Sequence, residues 1–287
     1  MRVLELFSGL GGWRFALGNR GVVVAAYDVS EAANATYALN HGDRPRTREL
    51  ATIPTTDLVA HGAETWVLSP PCQPYCRMGA QRGLEDRRSQ AFLHLMDVLA
   101  EAPPRHLVLE NVDGFQGSSA HDLLLQRLGQ HGFQVVAQHL CPSRFGLPNQ
   151  RPRFFLVASR QALRTPALPR CEPAPVAAYL DATEIPALYL SEAVLARHKQ
   201  GLDLVTPDDR RTACFIGGYG RRLVGSGSFL RTPRGIRRFS PEEVARLLGL
   251  PGDFRFPEGL PLAARYKLLG NGLSIPVAAW VLSHLDA

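Results

Sequence analysis

Short apolar runs alternate along the first half of the chain with stretches in which apolar side chains recur at helical spacing. The apolar runs predict buried strands at residues 3–7, 22–27, 65–68, 106–109, 133–140 and 153–158. The periodic stretches predict helices that begin after residue 12 and that span residues 31–40, 90–100 and 123–131. Strands that alternate with helices in this way predict an α/β fold with a doubly wound sheet.

The alternation fades around residues 166–175, where prolines cluster. Residues 183–238 are irregular, apart from one predicted helix at 191–199, and are rich in glycine and arginine. A clear helix follows at 241–248, with Ser240 as its N-cap and Pro241 at its first position, and an apolar helix spans 275–285. We therefore predict a core (1–165), a small lobe (166–238) and a C-terminal segment (239–287) that returns to the core.

The formal net charge of +6 suits a polyanionic partner, but the charge alone does not decide between nucleic-acid binding and an arginine-rich composition. The five cysteines are scattered, without the paired spacing of a zinc site. No run of about 18 apolar residues predicts a membrane helix, and no signal layout precedes the first strand. We expect a soluble, cytoplasmic, monomeric protein without a bound metal.

Two motifs at predicted strand ends suit a nucleotide-like cofactor and a nucleophile. The glycine-rich turn at residues 8–12 allows close approach to a ligand, and Asp28 at the next strand end can accept hydrogen bonds from ribose hydroxyls. The turn is equally compatible with a purely structural role. Cys72 lies between prolines after a strand, a stiff setting that aims a side chain, and nearby arginines can lower the pKa of such a thiol.

Two further motifs carry charge. Glu110 follows an apolar strand, where a carboxyl group can serve as an acid, although a helix-capping or salt-bridging glutamate fits the same position. Arg151 and Arg153 lie at a strand start and can bind an oxygen-rich group, although they also suit a solvated basic edge.

In sequence order these motifs resemble those of the cytosine-5 methyltransferases, over essentially the whole chain. The matching segments are Phe7-Ser8-Gly9, Pro71-Cys72-Gln73, Glu110-Asn111-Val112, Arg151-Pro152-Arg153 and Gly270-Asn271. The resemblance implies a Rossmann-like core that uses S-adenosylmethionine, together with a small target-recognition lobe. Two positions depart from the family pattern: Asn149 replaces the usual glutamine, and Gly272 replaces the usual serine.

The resemblance also implies a mechanism. The thiolate of Cys72 would attack C6 of cytosine while Glu110 contacts N3 and the exocyclic amine. C5 would then accept the methyl group, and a base would remove the C5 proton as Cys72 leaves. Arg151 and Arg153 would hold the pyrimidine ring, which must be splayed out of any stack. The implied cofactor-binding residues are Phe7, Gly9, Leu10, Gly11, Gly12, Asp28, Glu49, Leu50, Ser69 and Asn271.

Several segments resemble the branch of the family that modifies the anticodon loop of tRNA-Asp. They include Cys214-Phe215-Ile216, the glycine-rich stretch at 217–227 and residues 247–258. An anticodon loop presents unstacked bases, so a short lobe can suffice for its recognition. We therefore expect a tRNA substrate, with double-stranded DNA as the alternative, and expect arginines 221, 222, 231, 234, 237 and 238 to contact phosphates.

Overall fold

The computed structural model describes residues 1–71, 89–183 and 185–286. Contacts divide the chain into two compact units. The first unit is drawn from Met1–Leu140, Pro152–Ala167 and Ala278–Ala287, and the second from Cys141–Arg151 and Leu168–Val277.

A six-stranded sheet lies at the centre of the described part of the first unit, with strand order β2-β1-β3-β4-β6-β5. Its strands are β1 (Arg2–Leu6), β2 (Val22–Tyr27), β3 (Thr65–Leu68), β4 (His106–Asn111), β5 (Gln134–Leu140) and β6 (Arg153–Ser159). Strands β1 to β4 pair in parallel, whereas β6 is antiparallel to both β4 and β5. The predicted α/β fold is confirmed, with an antiparallel strand near one edge.

Helices accompany the sheet along the described first unit. They are α1 (Gly12–Leu17), α2 (Glu31–His41), α3 (Thr55–Val59), α4 (Gln90–Glu101) and α5 (Ser119–Gln130). Every residue of β3 and β4 is buried, as expected for inner strands covered on both faces. Apolar side chains of α4 and α5, including Leu95 and Leu124, join those of β4 in one core cluster. Burial of each such side chain contributes about 1.5–3 kcal/mol.

The second unit contains a small sheet and an aromatic core. Its described elements are α6 (Glu192–His198), β7 (Asp203–Val205), β8 (Ser228–Thr232), β9 (Gly235–Arg238), α7 (Pro241–Leu247) and α8 (Leu262–Asn271). Strands β8 and β9 form an antiparallel hairpin. The fully buried ring of Tyr219 lies 5.1 Å from Tyr266 and 5.4 Å from Phe229, measured between centroids. The predicted N-cap Ser240 of α7 is confirmed.

The division into units differs from the predicted domain bounds. Residues 239–277 group with the lobe rather than with the core, because α7 and α8 supply part of the lobe's interior. Glu243 of α7 pairs with Arg237 of β9, and the Tyr266 hydroxyl of α8 donates to the Phe239 carbonyl at 2.6 Å. Within the C-terminal segment, only residues from Ala278 onward group with the sheet.

Residues Leu262–Leu285 are together long and apolar enough for a membrane span by composition. In the structure they form two helices, α8 and then α9 (Ile275–Leu282), and half of the most apolar window is buried inside the protein. Apolar helices of a protein core have the same properties.

Candidate active site

The candidate residues of the first unit lie at the carboxyl-terminal ends of the parallel strands of its sheet. Parallel strands β1, β2, β3 and β4 end there, at Leu6, Tyr27, Leu68 and Asn111. In open α/β sheets the carboxyl ends of parallel strands are where ligands bind. The turns that follow β1, β2 and β3 carry most of the predicted cofactor residues, and Glu110 is the penultimate residue of β4.

The turn after β1 has an unusual backbone. Phe7 has a φ of 55°, which side-chain-bearing residues seldom adopt, and Gly9 and Gly11 have φ of 53° and 85°. A Cβ on Gly11 would lie 2.3 Å from His41 Nε2, so a larger residue there would be strained by its φ and would have to displace His41. The turn is therefore a specific backbone cradle at the start of α1, which is suitable for a cofactor that approaches main-chain N–H groups.

Asp28 joins the turns after β1 and β2. Its Oδ2 accepts a hydrogen bond from Gly9 N at 2.8 Å, and its Oδ1 accepts one from Ser30 N at 2.8 Å. Burial raises the pKa of Asp28 above its usual range, against the effect of these two hydrogen bonds. Each carboxylate oxygen retains a further acceptor site, so sugar hydroxyls can still donate to it.

The segment that contains Glu49 and Leu50 lies beside β2. Arg46 N donates to Ala26 O at 2.8 Å, which adds the segment to the sheet next to Asp28. Glu49 is exposed, and its carboxylate accepts from Ala51 N at 3.4 Å. Leu50 is only 2% exposed and packs in the core cluster, so its side chain does not face an open pocket.

Ser69, at the end of β3, contacts a residue that the sequence motifs did not single out. The indole Nε1 of Trp13 donates to Ser69 Oγ at 3.1 Å, which joins the first turn of α1 to the end of β3. In the sequence, Trp13 could have been identified by its position directly after the glycine-rich turn. The contact fixes two of the predicted cofactor segments relative to each other.

A buried acid lies in β1, just before the glycine turn. Glu5 is fully buried, and its Oε2 accepts a hydrogen bond from the Tyr37 hydroxyl at 3.0 Å. Burial raises the pKa of Glu5 to about 7, although the Tyr37 hydrogen bond and the nearby Arg14 charge act in the opposite direction. The sequence signal for Glu5 was a lone carboxylate within an apolar strand.

Glu110 and Arg153 are adjacent in the structure, as their predicted joint role requires. The antiparallel pairing of β4 with β6 aligns Glu110 with Phe155, two residues beyond Arg153. Arg153 Nε lies 3.4 Å from Glu110 Oε1, and Glu110 is 7% exposed. An ion pair at this distance orients the Glu110 carboxylate.

Asn111 connects this pair to the chain before Cys72. Its Nδ2 donates to Pro70 O at 3.2 Å, and its Oδ1 accepts from Val112 N at 2.8 Å. The end of β4 is thus tied to Pro70-Pro71 at the end of β3. Cys72, the predicted nucleophile, lies outside the described residues.

Arg151 belongs to the second unit, where its contacts differ from the predicted contact with a base. It is 3% exposed, and its Nη2 donates to Gly270 O at 2.9 Å and to Gly272 O at 2.6 Å. Its Nη1 donates to Phe215 O at 3.1 Å. These bonds hold the end of α8, where the side chain of Asn271 is exposed, against the segment at 214–217.

Both positions that depart from the family pattern lie in this second unit. The Nδ2 of Asn149, which is 1% exposed, donates to Leu247 O at 3.2 Å. The carbonyl of Gly272 is the Arg151 acceptor, a contact that any residue type provides. A Cβ on Gly270, by contrast, would lie 2.1 Å from Gly217 N, so glycine is required there.

The predicted phosphate-contacting arginines are in two different environments. Arg237 is 5% exposed and forms a bidentate pair with Glu243, with both N–O distances at 2.7 Å, so its predicted phosphate contact is wrong. Arg238 is half-buried and donates to Tyr219 O at 3.3 Å. The exposed members of the predicted set are Arg221, Arg222, Arg231 and Arg234.

Across the part of the chain that the structure describes, no group of three or more His, Cys, Asp or Glu side chains is arranged to hold a metal ion.

Comparison with known proteins assigns the chain to a family. Residues 1–192 and 218–286 match the model for C-5 cytosine-specific DNA methylases. A Homo sapiens protein named tRNA (cytosine(38)-C(5))-methyltransferase is 30% identical in an alignment covering 99% of each chain. A Dictyostelium discoideum protein named DNA (cytosine-5)-methyltransferase is 28% identical, over 99% of this chain and 94% of that protein. The crystal structure of S. pombe Dnmt2 methyltransferase is 29% identical, with a TM-score of 0.88 over 100% of this chain and 99% of that one. The chain therefore belongs to the C-5 cytosine-specific DNA methylase family.

Proposed function

We propose that this protein methylates C5 of a cytosine in the anticodon loop of a tRNA, at position 38, with S-adenosylmethionine as the methyl donor. The observation that carries the choice of tRNA is the full-length match to a human relative that is named for that reaction. The arginines of the second unit agree with it, since residues 210–241 hold eight arginines, six of them exposed, and no acidic residue.

The geometry of the first unit supports the cofactor assignment. Within the cradle at residues 7–12, no heavy atom of the described residues, apart from Gly9 and its two neighbours, lies within 4 Å of the point where a Cβ on Gly9 would stand, which leaves room for a ligand beside the described backbone. Asp28 is fixed by two backbone hydrogen bonds and retains acceptor capacity for ribose hydroxyls. When bound, S-adenosylmethionine supplies the methyl group that C5 of cytosine accepts.

The protein's own residues prepare the base. Cys72 supplies a thiolate that adds to C6, which makes C5 nucleophilic, and it leaves when the C5 proton is removed. Glu110 contacts N3 and the exocyclic amine of the flipped cytosine. Arg153 lies 3.4 Å from the Glu110 carboxylate and holds the pyrimidine ring beside it.

The deciding experiment compares acceptors directly. Purified protein, labelled S-adenosylmethionine and either total tRNA or genomic DNA are incubated, and bisulfite sequencing locates the modified cytosine. We expect label in tRNA at position 38, and no transfer by Cys72→Ala, which still binds the cofactor. Label in DNA at a short recognition sequence, with none in tRNA, refutes the tRNA assignment and supports the DNA reaction for which the Dictyostelium relative is named.

A further inference from the structure

A buried amide connects the Asp28 turn to the segment before Glu49. Asn34, in the second turn of α2, is fully buried. Its Nδ2 donates to the main-chain carbonyl of Asp28 at 3.0 Å and to Thr47 Oγ1 at 2.8 Å. The amide orientation follows from its partners, because a carbonyl oxygen can only accept and the Thr47 hydroxyl already donates elsewhere.

Thr47 extends the connection to the start of α2. Its hydroxyl donates to Glu31 Oε1 at 3.0 Å, and the other oxygen of Glu31 pairs with Arg44. The segment is also attached through its backbone, since Asp28 N donates to Arg46 O at 3.3 Å. The side chains of Asn34, Thr47 and Glu31 therefore fix residues 44–47 against the turn that carries Asp28.

We infer that Asn34 and Thr47 are positioning residues for cofactor binding, which act by holding the Asp28 turn and residues 46–49 in one geometry. The inference rests on the proposed cofactor role of Asp28. The orientation of the Asp28 carboxylate depends on the Asp28 backbone, and the carbonyl of that backbone accepts a hydrogen bond from Asn34. Without this hydrogen bond the turn can rotate in the free protein. Cofactor binding must then also order the turn, which weakens the affinity.

The expected signature is a loss of affinity without a loss of rate. Contacts made equally to the substrate complex and to the transition state change KM and leave kcat unaltered. Neither Asn34 nor Thr47 belongs to the set that handles cytosine. A merely structural role would instead lower thermal stability and leave the KM of folded protein unchanged.

The primary test is Thr47→Val, which removes the hydroxyl and keeps the side-chain shape. We expect the Kd and KM for S-adenosylmethionine to rise about fivefold or more, as one lost hydrogen bond implies, with kcat changed by less than about twofold. Titration calorimetry with S-adenosylmethionine alone gives the Kd independently of any nucleic acid. Thr47→Ser, which keeps the hydroxyl, should have the wild-type Kd.

Thr55→Val is the matched control, because the Thr55 hydroxyl donates to the Glu101 carboxylate at 2.7 Å, away from the Asp28 turn. It should leave the Kd unchanged. A second variant, Asn34→Ala, should weaken binding at least as much as Thr47→Val does, measured below its melting temperature.

Two outcomes separate the inference from the proposed function. If Asp28→Ala weakens cofactor binding while Thr47→Val and Asn34→Ala do not, the positioning role is refuted and the cofactor site stands. If Asp28→Ala itself leaves the Kd unchanged, the assignment of Asp28 and the inference built on it both fail. A fall in kcat with unchanged KM in Thr47→Val also refutes the inference.

Discussion

The carboxyl group of Glu110 is 7% exposed and lies beside Arg153, so a substitution tests its role directly. Glu110→Gln keeps the shape but removes the charge and the ability to carry a proton. We expect kcat for tRNA methylation to fall about 100-fold or more, the usual contribution of an acid–base group, while the Kd for S-adenosylmethionine is unchanged.

Glu101→Gln is the control for this substitution, since Glu101 is exposed on α4 and accepts a hydrogen bond from Thr55. Steady-state kinetics on both variants distinguish the two positions. A Glu110→Gln enzyme with at least half of the wild-type kcat would contradict the proposed role.

The buried acid Glu5 predicts a pH-dependent stability. Its pKa is about 7 in the folded protein against 4.5 when unfolded, so the folded state binds more protons between these values. Stability from this group is therefore present below about pH 4.5 and is lost as the pH rises toward 7. Each unit of pKa difference corresponds to about 1.4 kcal/mol.

Glu5→Gln, which stays neutral and can still accept from Tyr37, should remove that loss. We expect the Tm of the variant to exceed that of the wild type at pH 8 and to approach it near pH 5. Thermal melts at a series of pH values measure both curves. Parallel curves for the two proteins would show that Glu5 does not titrate in this range.

The sequence motifs selected candidate residues, but they did not predict what each of those residues contacts. Cofactor candidates Gly9 and Asp28 were predicted from strand ends, and the structure joins them by a direct hydrogen bond. Arg151 and Arg237 were predicted to contact a base and a phosphate. Both side chains are instead buried in the second unit. Arg151 donates to Gly270, which is distant in the sequence, and Arg237 pairs with Glu243 of the neighbouring helix α7, so the local motif does not show either contact.

At the scale of single elements, α7 has a complete capping box. Ser240 Oγ accepts from Glu243 N at 3.0 Å, and Glu243 Oε2 accepts from Ser240 N at 2.8 Å. Ser240→Ala should lower the free energy of unfolding by about 1 kcal/mol, or by somewhat more because Ser240 also donates to the Asp181 carboxylate. Urea denaturation measures the change.

Ser191→Ala provides the comparison. Ser191 is the N-cap residue of α6 but makes no side-chain capping bond. Its replacement should change the free energy of unfolding by less than about 0.5 kcal/mol. Equal losses for the two variants would indicate that the α7 cap contributes nothing specific.

Elements with strong periodicity were predicted to within a few residues, and those without it were missed. The strand predicted at 65–68 is Thr65–Leu68, and the helix predicted at 90–100 is Gln90–Glu101. Strands β7 to β9 are only three to five residues long, and β8 and β9 carry arginines, so no alternation marked them. Helix α8 was missed because it contains the Gly270-Asn271 pair, which predicts a turn and is instead the last part of a helix.

At the scale of the whole molecule, the acid-free stretch at 210–241 predicts salt-sensitive binding to tRNA. Each phosphate neutralised by an arginine releases counterions, which steepens the dependence of log K on log salt concentration. The double variant Arg221→Gln/Arg222→Gln should weaken tRNA binding and flatten that slope by up to about two units. Filter binding at several salt concentrations measures it.

A matched control uses two arginines near the amino-terminal end of β4, opposite to the strand ends that carry the candidate site. Arg105 precedes β4 and Arg160 follows the antiparallel β6, so both lie near the amino end of β4. Arg105→Gln/Arg160→Gln changes the net charge equally and should leave the slope as it is. An equal flattening in both double variants would mean that overall charge, rather than this stretch, determines binding.

The strand order has a consequence for synthesis on the ribosome. Strand β5 is made before β6, yet its sheet neighbour is β6, which lies between β5 and β4. A nascent chain that has emerged only as far as residue 140 therefore exposes β5 without a partner. Residues from Ala278 onward also belong with this first unit, so its folding cannot finish before they have been synthesised. Nascent chains stalled before residue 153 should consequently depend most on chaperones that cover apolar strands.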